Sequence, residues 1–247
     1  MEHLLFECKQ FCVQAVRLFF SFISGGKECV VCGKKSFRTL LLCEECAKRY
    51  FSVNDVFEVE RCAVCGRELI STKGTCMNCR DEPVLKHADK VVPLFSYRLW
   101  NKELLYRWKL NGERCMSSFF ARLVSDVLKV MEIDAVVPVP PRKGKIKKNG
   151  WDQVDDLCEF LRLRYGFNVY ELLERNSVVQ QKQLNRVERL ETIKSAYSLK
   201  PFFGKVPEKV CLIDDVCTTG STIECCAAIL KSAGVRIVNV VTLFVVD

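Results

Sequence analysis

Eight of the sixteen cysteines in this chain form two quartets with one internal spacing. Cys29, Cys32, Cys43 and Cys46 recur 33 residues later as Cys62, Cys65, Cys76 and Cys79. A Cys-x-x-Cys knuckle brings two sulfurs to one side of a tight turn. A second knuckle completes a tetrahedron around Zn²⁺, closed to water and therefore structural. A glycine follows the first knuckle each time, in CVVCGK and CAVCGR, where such a turn commonly takes positive φ. Thioredoxin-like redox pairs do not come as quartets. Two structural Zn²⁺ sites are expected, with the ligand pairing open: tandem quartets fit the repeat best, and interleaved quartets also satisfy the spacing. Each filled site contributes on the order of 10 kcal/mol to folding, so ribbons with little core become feasible. A zinc deaminase is excluded, because the H-x-E partner of its P-C-x-x-C is absent. His87, after the last pair, reads as a linker residue.

The chain has 247 residues, enough for one large domain or two smaller ones at about 150 residues per domain. Hydrophobic residues make up 49 % and Phe numbers 16, which supplies a core and excludes a disordered tail. The formal charge is +8; two four-thiolate zinc sites at roughly −2 each would reduce it to about +4. Glu2, Glu7, Lys9 and Arg17 interrupt the apolar start, so no signal peptide is expected. No uncharged run reaches the length of a membrane span. A cytoplasmic location follows, where paired cysteines mean metal more often than disulfide. Residues 1–25 read as an amphipathic helix, with Leu4, Phe11, Ala15, Leu18 and Phe22 near helical spacing. Its apolar face packs on the protein, or on a membrane surface or partner. Cysteines 8, 12, 115, 158, 211, 217, 225 and 226 sit mostly in apolar surroundings and read as small buried hydrophobes, with Cys217 a candidate reactive thiol.

The double ribbon is expected over residues 26–82, and from about 90 to 247 the pattern changes. Strands are expected at 91–97, 135–140, 167–172, 196–199, 210–214 and 235–246. Helices are expected at 101–110, 115–131, 152–164 and 221–233, with a charged stretch at 183–195. Apolar runs alternating with helices predict an α/β fold, a mostly parallel sheet covered on both faces.

Two stretches carry chemistry. In VCLIDDVCTTGST (210–222) an apolar strand ends in Asp214 and Asp215, and a loop of small hydroxyl residues leads into a helix. Ligands of parallel sheets sit at the carboxyl ends of strands. Small residues before a helix N-terminus let backbone N–H groups converge on a phosphate. Neither a Walker A ending nor a G-x-G-x-x-G turn is present. Paired carboxylates suit a polyol, so a sugar phosphate would use every feature. The second stretch is basic: Arg142, Lys143, Lys145, Lys147 and Lys148 follow the strand AVVPVP. It reads either as a solvated loop or as a phosphate or nucleic-acid contact.

The first stretch resembles the 5-phosphoribosyl-1-pyrophosphate (PRPP) signature of type I phosphoribosyltransferases. The resemblance implies that Asp214 and Asp215 hold the ribose hydroxyls. It implies that Cys217, Thr218, Thr219, Gly220, Ser221 and Thr222 cradle the 5′-phosphate, with Mg²⁺ accompanying PRPP. The loop after VVPVPP then corresponds to the one that grips pyrophosphate, with Arg142 first and Lys143 second as its basic side chains.

Residues 29–247 together resemble the ComF family, which joins a double zinc ribbon to a phosphoribosyltransferase-like domain. YRWKLNGE (106–113), NGWDQ (149–153) and the Arg175, Gln181, Leu184, Arg186 and Arg189 series carry this resemblance. The chain departs from the family pattern at Asn149, Asp152, Val178 and Thr192, all outside the PRPP loop. The family is associated with DNA uptake and natural transformation, which implies partners in the competence machinery. Two functions follow as expectations. One is transfer of a 5-phosphoribosyl group from PRPP. The other is non-catalytic PRPP sensing with single-stranded DNA tracked by Lys145, Lys147, Lys148, Arg186 and Arg189.

Overall fold

The computed structural model describes residues 29, 32–35, 43–50, 53–69, 74–81, 83–97, 99–176 and 196–246. The helix expected over 1–25, and Arg186 and Arg189, lie outside them. The strands are β1 (Lys90–Ser96), β2 (Ala135–Pro138), β3 (Asn168–Val169), β4 (Leu173–Arg175), β5 (Tyr197–Leu199), β6 (Lys209–Cys217) and β7 (Ile237–Val245). The helices are α1 (Glu44–Tyr50), α2 (Val53–Glu58), α3 (Met77–Asp81), α4 (Leu99–Lys109), α5 (Cys115–Val130), α6 (Lys145–Asn149), α7 (Gln153–Tyr165) and α8 (Ser221–Ser232). No helix among the described residues is long and apolar enough to cross a membrane.

Five strands form a wholly parallel sheet in the order β1-β7-β6-β2-β3, and β4 pairs with β5 antiparallel. The central strands are apolar on both faces because helices cover both. On one face Ile213, Val241 and Phe244 pack under Trp108, Phe120, Leu128, Leu157 and Leu161 of α4, α5 and α7. Phe120 meets Phe244 edge-on at 5.9 Å. On the other face Leu212 and Val240 pack under Cys226 and Leu230 of α8, with Leu172 and Tyr197 beside them.

Two strands differ from expectation, for one reason. The strand expected over 167–172 keeps only β3 in the sheet. Tyr170 N donates to Val136 O at 2.8 Å, and the next rung would need an N–H from Pro138, which proline lacks. The chain turns away and forms β4 against β5. The strand expected to end at Asp214 runs on to Cys217. Its β2 partner stops at the Pro138↔Ile213 pair, but β7 continues alongside to Cys217↔Val245.

The cysteines group as tandem quartets: within each, all four Sγ atoms lie within 4.8 Å of one another. Cys32–Cys43 and Cys65–Cys76 sulfurs are 3.7 Å apart, the edge of a tetrahedron with Zn–S bonds of about 2.3 Å. Both knuckles repeat one turn. Cys29 N donates to Lys34 O and Cys62 N to Arg67 O, while Gly33 N and Gly66 N donate back to Cys29 O and Cys62 O. Burial pushes the Cys65 thiol up to about 12, with the Cys62 charge adding to it. Burial also works to raise Cys62, but N–H donors from Cys65, Cys76 and Val64 outweigh it and bring that thiol down to about 6. Four such thiols ionise together only when a cation shares their charge, and Zn²⁺ fits this donor set.

The repeat diverges in its surroundings. Lys34 of the first knuckle pairs with Glu45 at the surface, 2.9 Å away. Its counterpart Arg67 turns inward and donates to Val246 O at 2.7 Å. Gly66 lies so close to the sheet that an added Cβ would stand 2.1 Å from Val91 O and 2.5 Å from Pro93 Cδ; one on Gly33 would meet nothing within 4 Å.

The two glycines are therefore unequal. Gly33→Ala is expected to cost about 1–2 kcal/mol, from positive φ alone. Gly66→Ala adds about 1–3 kcal/mol for overpacking. Denaturant melts of the metal-loaded chain measure both, and equal losses would contradict this docking. Metal analysis is expected to find two Zn²⁺ per chain, with one lost in Cys43→Ser and one in Cys76→Ser. Both substitutions should lower the melting temperature, because each quartet holds two buried cysteines.

Candidate functional site

In the sheet, β3 lies on one side of β2 and β6 on the other. Strand order reverses there, and an open parallel sheet leaves a crevice at the carboxyl ends of such strands. The register pairs Pro138 with Ile213, and Val139 N donates to Ile213 O at 2.9 Å. The segment after β2, with Arg142 and Lys143, and the segment from Asp214 to Thr222 therefore open into one crevice. Sequence spacing alone does not bring these stretches together.

Adjacent strand residues face opposite sides, and this separates the two acids. Asp215 points toward the α4 face, where Lys109 Nζ stands 2.5 Å from its Oδ2. Asp214 lies close enough to act on the Tyr197 phenol and the Cys226 thiol of the other layer. Asp214 is buried, and its Oδ1 accepts from Asp215 N at 2.8 Å. Burial, with the Asp215 charge second, pushes its carboxyl up to about 8, against the pull of the Asp215 amide and Lys109. A neutral acid beside an anion in a crevice is a site feature rather than a stabilising one.

The hydroxyl loop follows. Thr218 and Thr219 are exposed, Ser221 and Thr222 half-buried, and Cys217 buried. Thr219 Oγ1 and Ser221 Oγ are 2.9 Å apart. Gly220, at φ +82°, precedes α8 without a side chain of its own to cap it; Ser221 N donates to Thr219 Oγ1 at 3.4 Å, and a helix N-terminus of this kind favours an anion. The linker braces this loop. Leu85 lies where a Gly220 Cβ would come within 3.1 Å. Glu224 of α8 accepts from Lys86 N at 2.8 Å and His87 N at 3.1 Å, and its Oε1 lies 2.6 Å from His87 Nδ1. His87, a linker residue by sequence, thus reaches the first turn behind the loop. Burial first, and then Asp214, pushes the Cys217 thiol up to about 11, the opposite of a reactive thiolate.

The basic run is partly helical. Arg142, Lys143 and Lys147 are exposed. Lys145 of α6 is engaged: its ammonium is 2.5 Å from Asp152 Oδ2 and also donates to Gln153 Oε1. Asp152 caps α7, accepting from Val154 N at 3.0 Å and Asp155 N at 3.2 Å. Gln153 Nε2 donates to Lys109 O at 3.2 Å. Trp108 is fully buried and Trp151 nearly so, both in the core. Lys109, Asp152 and Gln153 carry no motif of their own, although YRWKLNGE and NGWDQ were distinctive segments.

No family model matches the chain. Among curated proteins, "Competence protein ComFC" of Streptococcus pneumoniae is 28 % identical over 237 residues, covering 87 % of this chain and 99 % of that protein. "Competence protein F" of Haemophilus influenzae is 29 % identical over 210 residues, covering 81 % and 88 % respectively. Both similarities cover more than four-fifths of this chain and support its resemblance to the ComF competence proteins.

Proposed function

We propose that this chain acts in competence, in the uptake of DNA, and binds PRPP in the crevice between β2 and β6. The observation that carries the reading is the convergence of three complementary groups at one switch point. Asp214 and Asp215 offer acceptors to the ribose diol. The amides and hydroxyls of 217–222 offer donors to the 5′-phosphate. Arg142 and Lys143 offer charge to the diphosphate. Mg²⁺, when bound, would neutralise the diphosphate. Phosphoribosyl transfer is the enzymatic extension of this reading, in which the chain supplies placed charge. Cys217, held as a thiol, is not its nucleophile.

Calorimetry with PRPP and Mg²⁺ tests the reading. Asp214→Asn and Asp215→Asn should each weaken binding by about 1.5–3 kcal/mol, a ten- to hundredfold loss. Unchanged affinity in both would refute it.

The Asp214 carboxyl adds a pH signature. Unfolded, it ionises near pH 4; folded, it does so at about 8. Between those values the folded chain holds one more proton, so stability falls as pH rises through the window, and the penalty is complete above about 8. Melting temperature should therefore decline from about pH 4 to 8 in the wild type and flatten in Asp214→Asn. The same substitution should stabilise the free protein at pH 7 while weakening ligand binding.

A further inference from the structure

Lys109 is the last residue of α4 and belongs to neither of the loops expected to grip phosphate. Its position is nonetheless fixed from both sides. Its carbonyl accepts from Gln153 Nε2, and Gln153 Oε1 accepts from Lys145, in the segment that follows β2. Its ammonium sits 2.5 Å from Asp215 Oδ2 on β6. Lys109 thus bridges Asp215 and, through Gln153, the segment after β2, the two stretches that the PRPP reading assigns to the diol and the diphosphate. Its side chain remains 38 % exposed, against 14 % for Asp215, so the cationic end has room to move. Beyond it the chain leaves the helix through exposed Leu110, Asn111 and Gly112, the last at φ +70°.

This contact covers the carboxylate that a ribose diol needs. A lysine is a compact charge on a flexible four-carbon stem. With its ammonium partly exposed to water, the pair holds it only weakly. A diphosphorylated pentose brings hydroxyls for Asp215 and a stronger anion for the ammonium. We propose that Lys109 is the exchangeable cation of this site: it neutralises Asp215 in the free protein and transfers to the diphosphate of the bound sugar, releasing the carboxylate to the diol. Lys109 then selects a pentose carrying a diphosphate over one carrying only the 5′-phosphate. The proposal rests on the PRPP reading above.

The test compares PRPP and ribose 5-phosphate, each with Mg²⁺, by calorimetry on the intact metal-loaded chain. Lys109→Met keeps the stem and removes the charge; Lys109→Gln serves as a second variant if methionine perturbs the melt. Either should weaken PRPP by about tenfold or more and leave ribose 5-phosphate unchanged or tighter, because the competing ammonium is gone. Lys109→Arg should retain most of the PRPP affinity. Equal losses for both ligands would reduce Lys109 to a prop for Asp215 and overturn the proposal, as would undiminished PRPP binding. A wild-type chain that binds neither ligand overturns the PRPP reading and this proposal together. Wild-type binding with no change in selectivity in the variants overturns this proposal alone.

Discussion

The ladder between β6 and β7 outlasts the ladder between β6 and β2, and the crevice depends on that difference. Pro138 closes β2, while Cys217 still pairs with Val245. For its last residues β6 is supported on one edge only, and its other edge faces the gap above β2. Asp214 and Asp215 therefore stand on a rigid strand, beyond the point where β2 stops pairing with it. Strand alternation sends their side chains to different layers, which answers how two neighbouring carboxylates can be tolerated. One is neutralised by Lys109, and the other is held toward its acid form by burial.

The second cysteine quartet adds to the same end of the sheet. Its knuckle rests on β1 through Gly66, and Arg67 holds Val246, whose amide donates to Cys217 O at the start of the hydroxyl loop. Leu85 and the amides of Lys86 and His87 then brace Gly220 and Glu224. A small ribbon built around a thiol quartet thus becomes a wall of the loop. The first quartet lacks this contact at the matching position, where Lys34 stays at the surface with Glu45. Two copies of one motif have thus taken different surroundings: Cys29 and Cys46 of the first join the core on the α4 and α5 face, and the second meets β1 through Gly66.

Much of this was legible from local pattern. The repeat of cysteines picks out the eight candidate ligands, because ligand spacing reflects the geometry of one turn, and leaves their pairing open. The alternation of apolar runs with helices fixes the α/β class. The acid pair and the hydroxyl loop are likewise local, and the structure places them at the end of β6 and the start of α8. Strand ends were misjudged where a neighbour decides them: β3 is cut short because Pro138 lacks an N–H, and β6 is lengthened because β7 keeps pairing. Lys109 and Gln153 carry no sequence signal, and Asp152 only that of a departure from a family pattern, because a lone lysine on a helix and an Asp-Gln pair ahead of one are common and only their meeting gives them meaning.

By itself the sequence determined which residue types stand side by side, since thiol quartets, adjacent carboxylates and small hydroxyl loops are properties of short stretches. The tertiary structure alone decided the tandem grouping of the sulfurs and the meeting of the β2 and β6 ends. It also decided the partners of Lys109, Lys145 and Arg67. The physical reason is the same throughout: hydrogen-bond register and ion pairing join groups far apart along the chain, and nothing in a local pattern encodes that distance.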